Sequence, residues 1–192
     1  MSGRLGVLVA LLALAAAPVA QAVVSGAIAG KAVSTAMDMR SVDEVKTDTE
    51  IDAALKAKFA SHAGDEFKSI AALVFAGRVA LVGFAANPDV RQRAEQLARS
   101  ETRMQRFKDM VIIGSPEEDS MAADLALDTR INAALTAAPG IHSVNMRWKV
   151  FGGDVFLMGV ASSREEANAA AAAIERVDGV KRLHSGLDVA KN

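Results

Sequence analysis

The 192-residue chain is 51% hydrophobic and 23% charged, with 22 Lys and Arg against 23 Asp and Glu, a composition that fits a globular protein of one medium domain or two small ones. This near-balance of charge supplies no global field for a polyanion, so nucleic acid is excluded as an expected partner. No cysteine is present, which excludes disulfides, thiolate metal sites, thiol nucleophiles and a lipidated N-terminal cysteine.

Residues 1–22 read as a secretory signal peptide. Arg4 precedes an apolar run from Leu5 to Ala17, followed by Pro18 and the small triplet Ala20-Gln21-Ala22 just before Val23, the layout of an A-x-A cleavage site. Cleavage would export the chain and remove Arg4, leaving 21 basic against 23 acidic residues. The alternative is an uncleaved inner-membrane anchor, since Leu5 to Gly30 is nearly free of charge and long enough to span a bilayer. Residues 23–46 form an apolar and then polar N-terminal segment.

Beyond it the chain repeats itself. Asp48-Thr49-Glu50-Ile51-Asp52-Ala53-Ala54-Leu55 matches Asp128-Thr129-Arg130-Ile131-Asn132-Ala133-Ala134-Leu135, 80 residues on, and Gly77-Arg78-Val79-Ala80-Leu81-Val82-Gly83 matches Gly153-Asp154-Val155-Phe156-Leu157-Met158-Gly159, 76 residues on. The difference predicts four extra residues in the first copy, around Ser61 to Lys68. Each copy opens on a helical pattern, Ile51, Leu55 and Phe59 in one and Leu127, Ile131 and Leu135 in the other. Thr47 and Glu50 form an expected capping box, and Pro139-Gly140 ends the second helix.

Strand alternation follows. Met146, Trp148 and Val150 share a face, Gly152-Gly153 makes a tight turn, and Val155 and Leu157 return on the same face, which predicts a hairpin with one buried side and Trp148 in the core. A further helix starts at Asn87-Pro88 in one copy and at Ser163 with Glu166 in the other. The last strand is Leu183, Ser185, Leu187 and Val189, with Phe107 to Ile113 as its counterpart. The expected fold is α+β: two tandem αββαβ modules, residues 47–113 and 121–192, each a small three-stranded mixed sheet with two helices on one face. Residues 114–120 join them as a linker.

This order, the Gly-x-Val-x-Leu-x-Gly hairpin of Gly153 to Gly159 and the later Gly179-Val180 step resemble the BON family of bacterial envelope and osmotic-stress proteins. The paired modules, together with Asp38-Met39-Arg40-Ser41-Val42, are similar to dual-BON outer-membrane lipoproteins that maintain envelope integrity at division sites. The resemblance implies binding of anionic phospholipid through the second module, without catalysis. It carries no lipid tether, because those lipoproteins have an acylated cysteine where this chain has Ala22-Val23. The first copy has Arg103 where the second has Gly179, so the second stands closer to the family pattern.

Three groups of residues are candidates for lipid or partner binding. Arg99, Arg103 and Arg106, at helical spacing, suit anionic headgroups or form a solvated face on which Glu95 pairs with Arg99. Phe156 and Met158 point away from Val155 and Leu157, onto the open face of a single-layer sheet, where the other module, a second subunit or lipid would cover them. Met121 and Leu125 open the first helix of the second module off its Leu127-Ile131-Leu135 face. The resemblance brings this helix to the membrane, although Ala126 stands near the place of the aromatic residue the family uses. His62, His142 and His184 share no ligand spacing, and neither a nucleophile motif nor a phosphate loop is present. The expectation is a non-enzymatic periplasmic protein without cofactor, peripheral to the outer membrane. Its partners are an anionic phospholipid surface, envelope proteins or itself; the alternative is a soluble stress-protective adaptor working through its open sheet faces.

Overall fold

Ser41 starts the first helix. Its Oγ accepts from the Glu44 N–H at 3.2 Å, while the Glu44 carboxylate accepts from the Ser41 N–H at 2.8 Å, a reciprocal box that satisfies two helix-end donors. The expected box at Thr47 and Glu50 is therefore displaced by six residues, because Ser41-Val42-Asp43-Glu44 carries the same pattern upstream and Thr47 lies inside the helix. The computed structural model describes residues 37–62, 65–117 and 120–190. The signal peptide, most of the N-terminal segment and part of both the 61–68 stretch and the linker lie outside the described residues.

The first module runs α1 (Val42–Ser61), β1 (Ile70–Phe75), β2 (Arg78–Ala85), α2 (Pro88–Arg99) and β3 (Arg106–Ile113). The second runs α3 (Met121–Ala137), β4 (Met146–Phe151), β5 (Asp154–Ala161), α4 (Arg164–Glu175) and β6 (Arg182–Val189). In each, an antiparallel hairpin is extended by a strand parallel to its second arm, giving orders β1-β2-β3 and β4-β5-β6. This is the three-stranded mixed sheet expected from sequence.

The Gly-x-Val-x-Leu-x-Gly pattern has a backbone cause. Gly77 and Gly153 take positive φ (68° and 93°) in the hairpin turns. Gly83 and Gly159, at φ 111° and 135°, press against the preceding strand, where a Cβ would stand 2.0 Å from the Ser69 carbonyl oxygen and 2.2 Å from that of Asn145. Only glycine allows that approach.

The helices cover one face of each sheet. Ile51, Leu55, Val79, Leu81, Val90, Ala94 and Ala98 form the first helix-sheet core, and Leu127, Ile131, Leu135, Val155, Leu157 and Ile174 form the second, with Trp148 packed against it. Equivalent residues of α1 and α3 are Asp48 and Asp124, Ile51 and Leu127, Leu55 and Ile131, all 76 residues apart. Both aspartates accept from the turn of their own hairpin, Asp48 from Ala76 and Gly77 (2.7 and 2.8 Å) and Asp124 from Gly152 (2.8 Å). The 80-residue match of the helix sequences is thus one helical turn out of step, and no four-residue insertion separates the copies. A four-residue slip keeps the same face buried, so periodicity alone does not detect it.

The other faces close on each other. Leu73, Phe75, Ala80, Val82 and Phe84 of the first sheet pack against Phe151, Phe156, Met158 and Val160 of the second, giving layers helix, sheet, sheet, helix. The Phe156 ring stands edge-on to Phe84 and Phe151 at centroid distances of 6.0 and 6.1 Å, and His184 stacks on it at 4.7 Å. The two modules therefore share a third core.

Asp38-Met39-Arg40 belongs to that assembly. Arg40 binds the Asp38 carboxylate through Nε and Nη2 (3.0 and 2.8 Å) and Asp48 through Nη1 (3.0 Å), and lies 4.6 Å over the Phe75 ring. Asn145, in the second module, accepts from the Met39 N–H at 2.8 Å and donates to the Met37 carbonyl at 2.9 Å. The segment straps the first hairpin to the rim of the second sheet.

Candidate functional site

The fold sends the sequence candidates to three different places. Phe156 and Met158 are 0% and 4% exposed, buried against the first module. The face that sequence leaves open is closed, so neither side chain is available to lipid or to a second subunit.

Arg99, Arg103 and Arg106 do not share a helical face. The helix ends at Arg99 with Ser100 as its cap, and Arg106 already begins β3. Arg99 pairs with Glu95 at 2.8 Å and lies 4.3 Å over the Phe107 ring. Arg103 grips Glu101 through Nε and Nη2 (2.7 and 3.0 Å) and reaches Glu50 at 3.3 Å. Hydrogen bonds from Arg103 outweigh burial and hold the nearly buried Glu101 carboxyl down at about 2, so this arginine is bound into the fold. Arg91 pairs with Asp109 and Arg93 with Glu66. Most of the arginines of this stretch are neutralised locally; Arg106, which stands on the sheet, is the exception among them.

Met121 and Leu125 are the outward pair. Ser120 caps α3, its Oγ accepting from the Ala123 N–H at 3.3 Å, which fixes the helix start and leaves Met121 87% and Leu125 66% exposed. Apolar side chains of this size rarely stand side by side in water without a contact to make. Beside them opens a cavity of about 500 Å³ lined by Lys68, Met121, Leu125, Trp148, Lys149 and Phe151 among others. Trp148 is only partly buried and its Nε1 donor is shielded from solvent without a hydrogen-bond partner, a state with a cost. Trp148 packs against the second core, as its strand face implies, and it also lines this cavity.

Elsewhere the charged groups do structural work. Glu166 is buried, and its carboxylate accepts from the main chain of His142 and Ser162 at 2.7 Å each. Burial pushes this carboxyl up, but the hydrogen bonds from Ser162 and His142 win and keep it below the usual glutamate range. It supports the start of α4, as the capped first turn implied. Among the described residues, no three His, Asp or Glu side chains converge to hold a metal ion, and no helix is long and apolar enough to cross a membrane.

The chain matches the BON domain family over residues 47–103 and 123–191. A protein of Anaplasma centrale, "Uncharacterized protein in gshII 5'region", is 36% identical over 121 residues, covering 62% of this chain and 80% of the relative. Among solved structures, the chain is similar to the C-terminal domain of CdsD, described as the structural protein of the type III secretion system of Chlamydia trachomatis. That likeness has 12% identity and a TM-score of 0.30 over 76% of this chain and 67% of that one. A second CdsD structure has 13% identity and a TM-score of 0.27, over 71% and 61%. BON domains form a non-enzymatic, envelope-associated family. With both αββαβ modules matched, and with the glycine turns and close approaches of each explaining the shared motif, this chain belongs to the BON-domain family as a tandem, two-module member lacking cysteine.

Proposed function

We propose that this protein is a non-catalytic periplasmic component of the cell envelope. In this reading it is exported by residues 1–22 and supports outer-membrane integrity by peripheral association with anionic phospholipid through the start of α3. The observation that carries the reading is the exposure of Met121 and Leu125 beside a cavity lined by Trp148 and Lys149.

Magnitudes define the kind of binding. Full burial of a Leu or Met side chain contributes about 1.5–3 kcal/mol, so two of them alone give weak attachment, from above millimolar to about tens of micromolar. Each nearby lysine adds about 1 kcal/mol at an anionic surface, a contribution that Asp124 and Asp128 in the same lining partly offset. The protein is then a reversible, salt-sensitive membrane ligand.

Co-sedimentation of the exported chain with phosphatidylglycerol-containing and pure phosphatidylcholine vesicles tests this. Binding to the anionic vesicles alone, weakened by salt and lost in a Met121→Ser/Leu125→Ser variant, is expected. Binding to neither vesicle would sink the lipid reading and leave an envelope protein as partner. An adaptor acting through open sheet faces has lost its surface, because those faces cover each other.

A further inference from the structure

Strands β2 and β5 occupy equivalent places, and so do β3 and β6, so each row of the sheets can be read in both modules. At the end of β5, Asp154 lies beside Arg182 in register, with His184 next to Phe156. Asp154 is fully buried and accepts from Arg182 Nε and Nη2 (2.8 and 2.9 Å) and approaches His184 Nε2 at 2.7 Å. The same row of the first module reads Arg78 beside Arg106, with Lys108 next to Ala80. The two cationic positions of β3 keep their basic residues, but the position of the carboxylate holds a third cation.

These side chains border a cavity of about 320 Å³ between the sheets, lined by Arg78, Arg106, Lys108, Met158, Gly186 and Asp188 among others. Its charged lining is three cations and one carboxylate. Asp188 lies 3.2 Å from Arg78 Nε, yet that buried nitrogen has no aligned hydrogen-bond acceptor. Arg106 and Lys108 have no ion-pair partner among the described residues. Gly186 keeps the opposite wall low, since a Cβ there would stand 2.9 Å from Met110 Sδ and 3.1 Å from Lys108 Nζ.

We propose that this inter-module cleft binds a phosphate-bearing anion through Arg78, Arg106 and Lys108, the bound oxygens taking the part that the Asp154 carboxylate plays in the second module. Guanidinium forks match phosphate as they match carboxylate, and a lysine adds a point charge. The space holds on the order of ten water molecules by volume, enough for a phosphate and a substituent. The cleft is walled by both modules, but the three cations that would hold the anion all belong to the first, and the second contributes Asp188, whose ion pair with Arg78 the ligand would replace. The site does not depend on the α3 surface.

Calorimetric titration of the exported chain with inorganic phosphate and with pyrophosphate at low ionic strength tests the proposal. Saturable 1:1 binding is expected, weakened by added salt and reduced roughly tenfold or more in an Arg106→Ser/Lys108→Ser variant. Both changed residues are exposed, so that variant is expected to fold. Arg78→Asp, which supplies the carboxylate in place of the ligand, is expected to abolish binding while the thermal midpoint no longer responds to phosphate. Vesicles of phosphatidylglycerol separate the sources: loss of their binding in the Arg106→Ser/Lys108→Ser variant makes a lipid headgroup the ligand, while binding of free phosphate alone makes it a soluble one. Failure of both anions and vesicles to bind through these residues overturns the proposal. Vesicle binding that survives this variant but is lost in Met121→Ser/Leu125→Ser leaves the proposed membrane function standing and removes only this site.

Discussion

The two modules share every element at a 76-residue spacing yet close their chains differently. After α2, Glu101 and Arg103 hold the turn by a charged clamp; after α4 the same place has Gly179 at φ 99°. On the shared face, Ala80 of the first sheet corresponds to Phe156 of the second, and Arg78 to Asp154. What the copies have in common is backbone geometry: glycine turns, glycine close approaches, and an aspartate on the first helix that caps the hairpin. What differs is how charge and bulk are divided across the interface between them, so the pair behaves as two complementary halves.

The largest expected effect comes from removing the bulk. Phe156→Ala deletes the ring at the centre of the shared core and is expected to destabilise by about 3–5 kcal/mol, read as a lower urea midpoint. Because the ring touches both sheets, the single transition is expected to split, with the helix-sheet cores unfolding separately. A single transition with an unchanged denaturant slope would show that the modules do not rely on this contact. The glycine close approaches test the common part. Gly83→Ala and Gly159→Ala each force a Cβ into a carbonyl oxygen at positive φ, with an expected cost of about 3 kcal/mol in either module. A clearly unequal pair would mean that the two glycines are not equivalent.

Much of this was legible in the sequence. Alternation placed Met146, Val150, Val155 and Leu157 on one face, and the glycine spacing located both hairpins. The closure of the sheets was not legible in the same way. Periodicity says that Phe156 and Met158 share a face, but what covers a face depends on another part of the chain. The α1–α3 slip and the displaced capping box have local causes, since a turn-length shift preserves the buried stripe and Ser41-Val42-Asp43-Glu44 mimics Thr47-Asp48-Thr49-Glu50. Arg103 reads as part of a basic patch although its main partner, Glu101, lies two residues away; its second partner, Glu50, comes from another element. Met121 and Leu125 stood out by lying off the buried stripe; the Trp148 donor did not, since its lost partner is a tertiary fact. The Arg78–Asp154 difference was visible in the aligned hairpins, but its meaning required the neighbouring strands.

The electrostatic halves of the comparison separate by pH. Burial pushes the Asp154 carboxyl up, but the hydrogen bonds and charges of Arg182 and His184 together hold it below the usual aspartate range. Glu101 is held at about 2 from an ordinary 4.5. A carboxyl with a depressed folded value stabilises the fold above its unfolded range and loses that contribution as pH falls through the folded value. For Glu101 the loss runs between about 4.5 and about 2. Denaturation midpoints measured across this interval are expected to fall with pH. Glu101→Gln is expected to flatten the part of the slope set in the first module and Asp154→Asn the part set in the second. At neutral pH, Asp154→Asn is expected to cost about 2 kcal/mol, since a buried carboxylate that accepts charged donors is lost. Unchanged acid slopes in both variants would place the acid sensitivity elsewhere, with Glu166, Asp38, Glu44 and Glu165 as the other depressed carboxyls among the described residues.

The smallest expected effect lies in the turns. The first hairpin turns through Ala76 at φ 50° and Gly77, the second through Gly152 at φ 59° and Gly153. An alanine in the left-handed region is disfavoured by about 1–2 kcal/mol. Replacing it with glycine relieves that strain but frees the unfolded chain, which offsets about 0.4–1 kcal/mol. Ala76→Gly is therefore expected to stabilise by roughly 0.5 kcal/mol, and Gly152→Ala to destabilise by roughly the same amount, for the same two reasons. Ala76 also packs beside the shared core, so a small loss of apolar burial works against the gain. The sign of the first change is the informative quantity. A stabilised Ala76→Gly protein means that the strain in this turn exceeds what its methyl group contributes. A destabilised one means that the methyl contact with the second module is worth more than the strain, and the alanine then belongs with Phe156 among the residues that hold the two halves together.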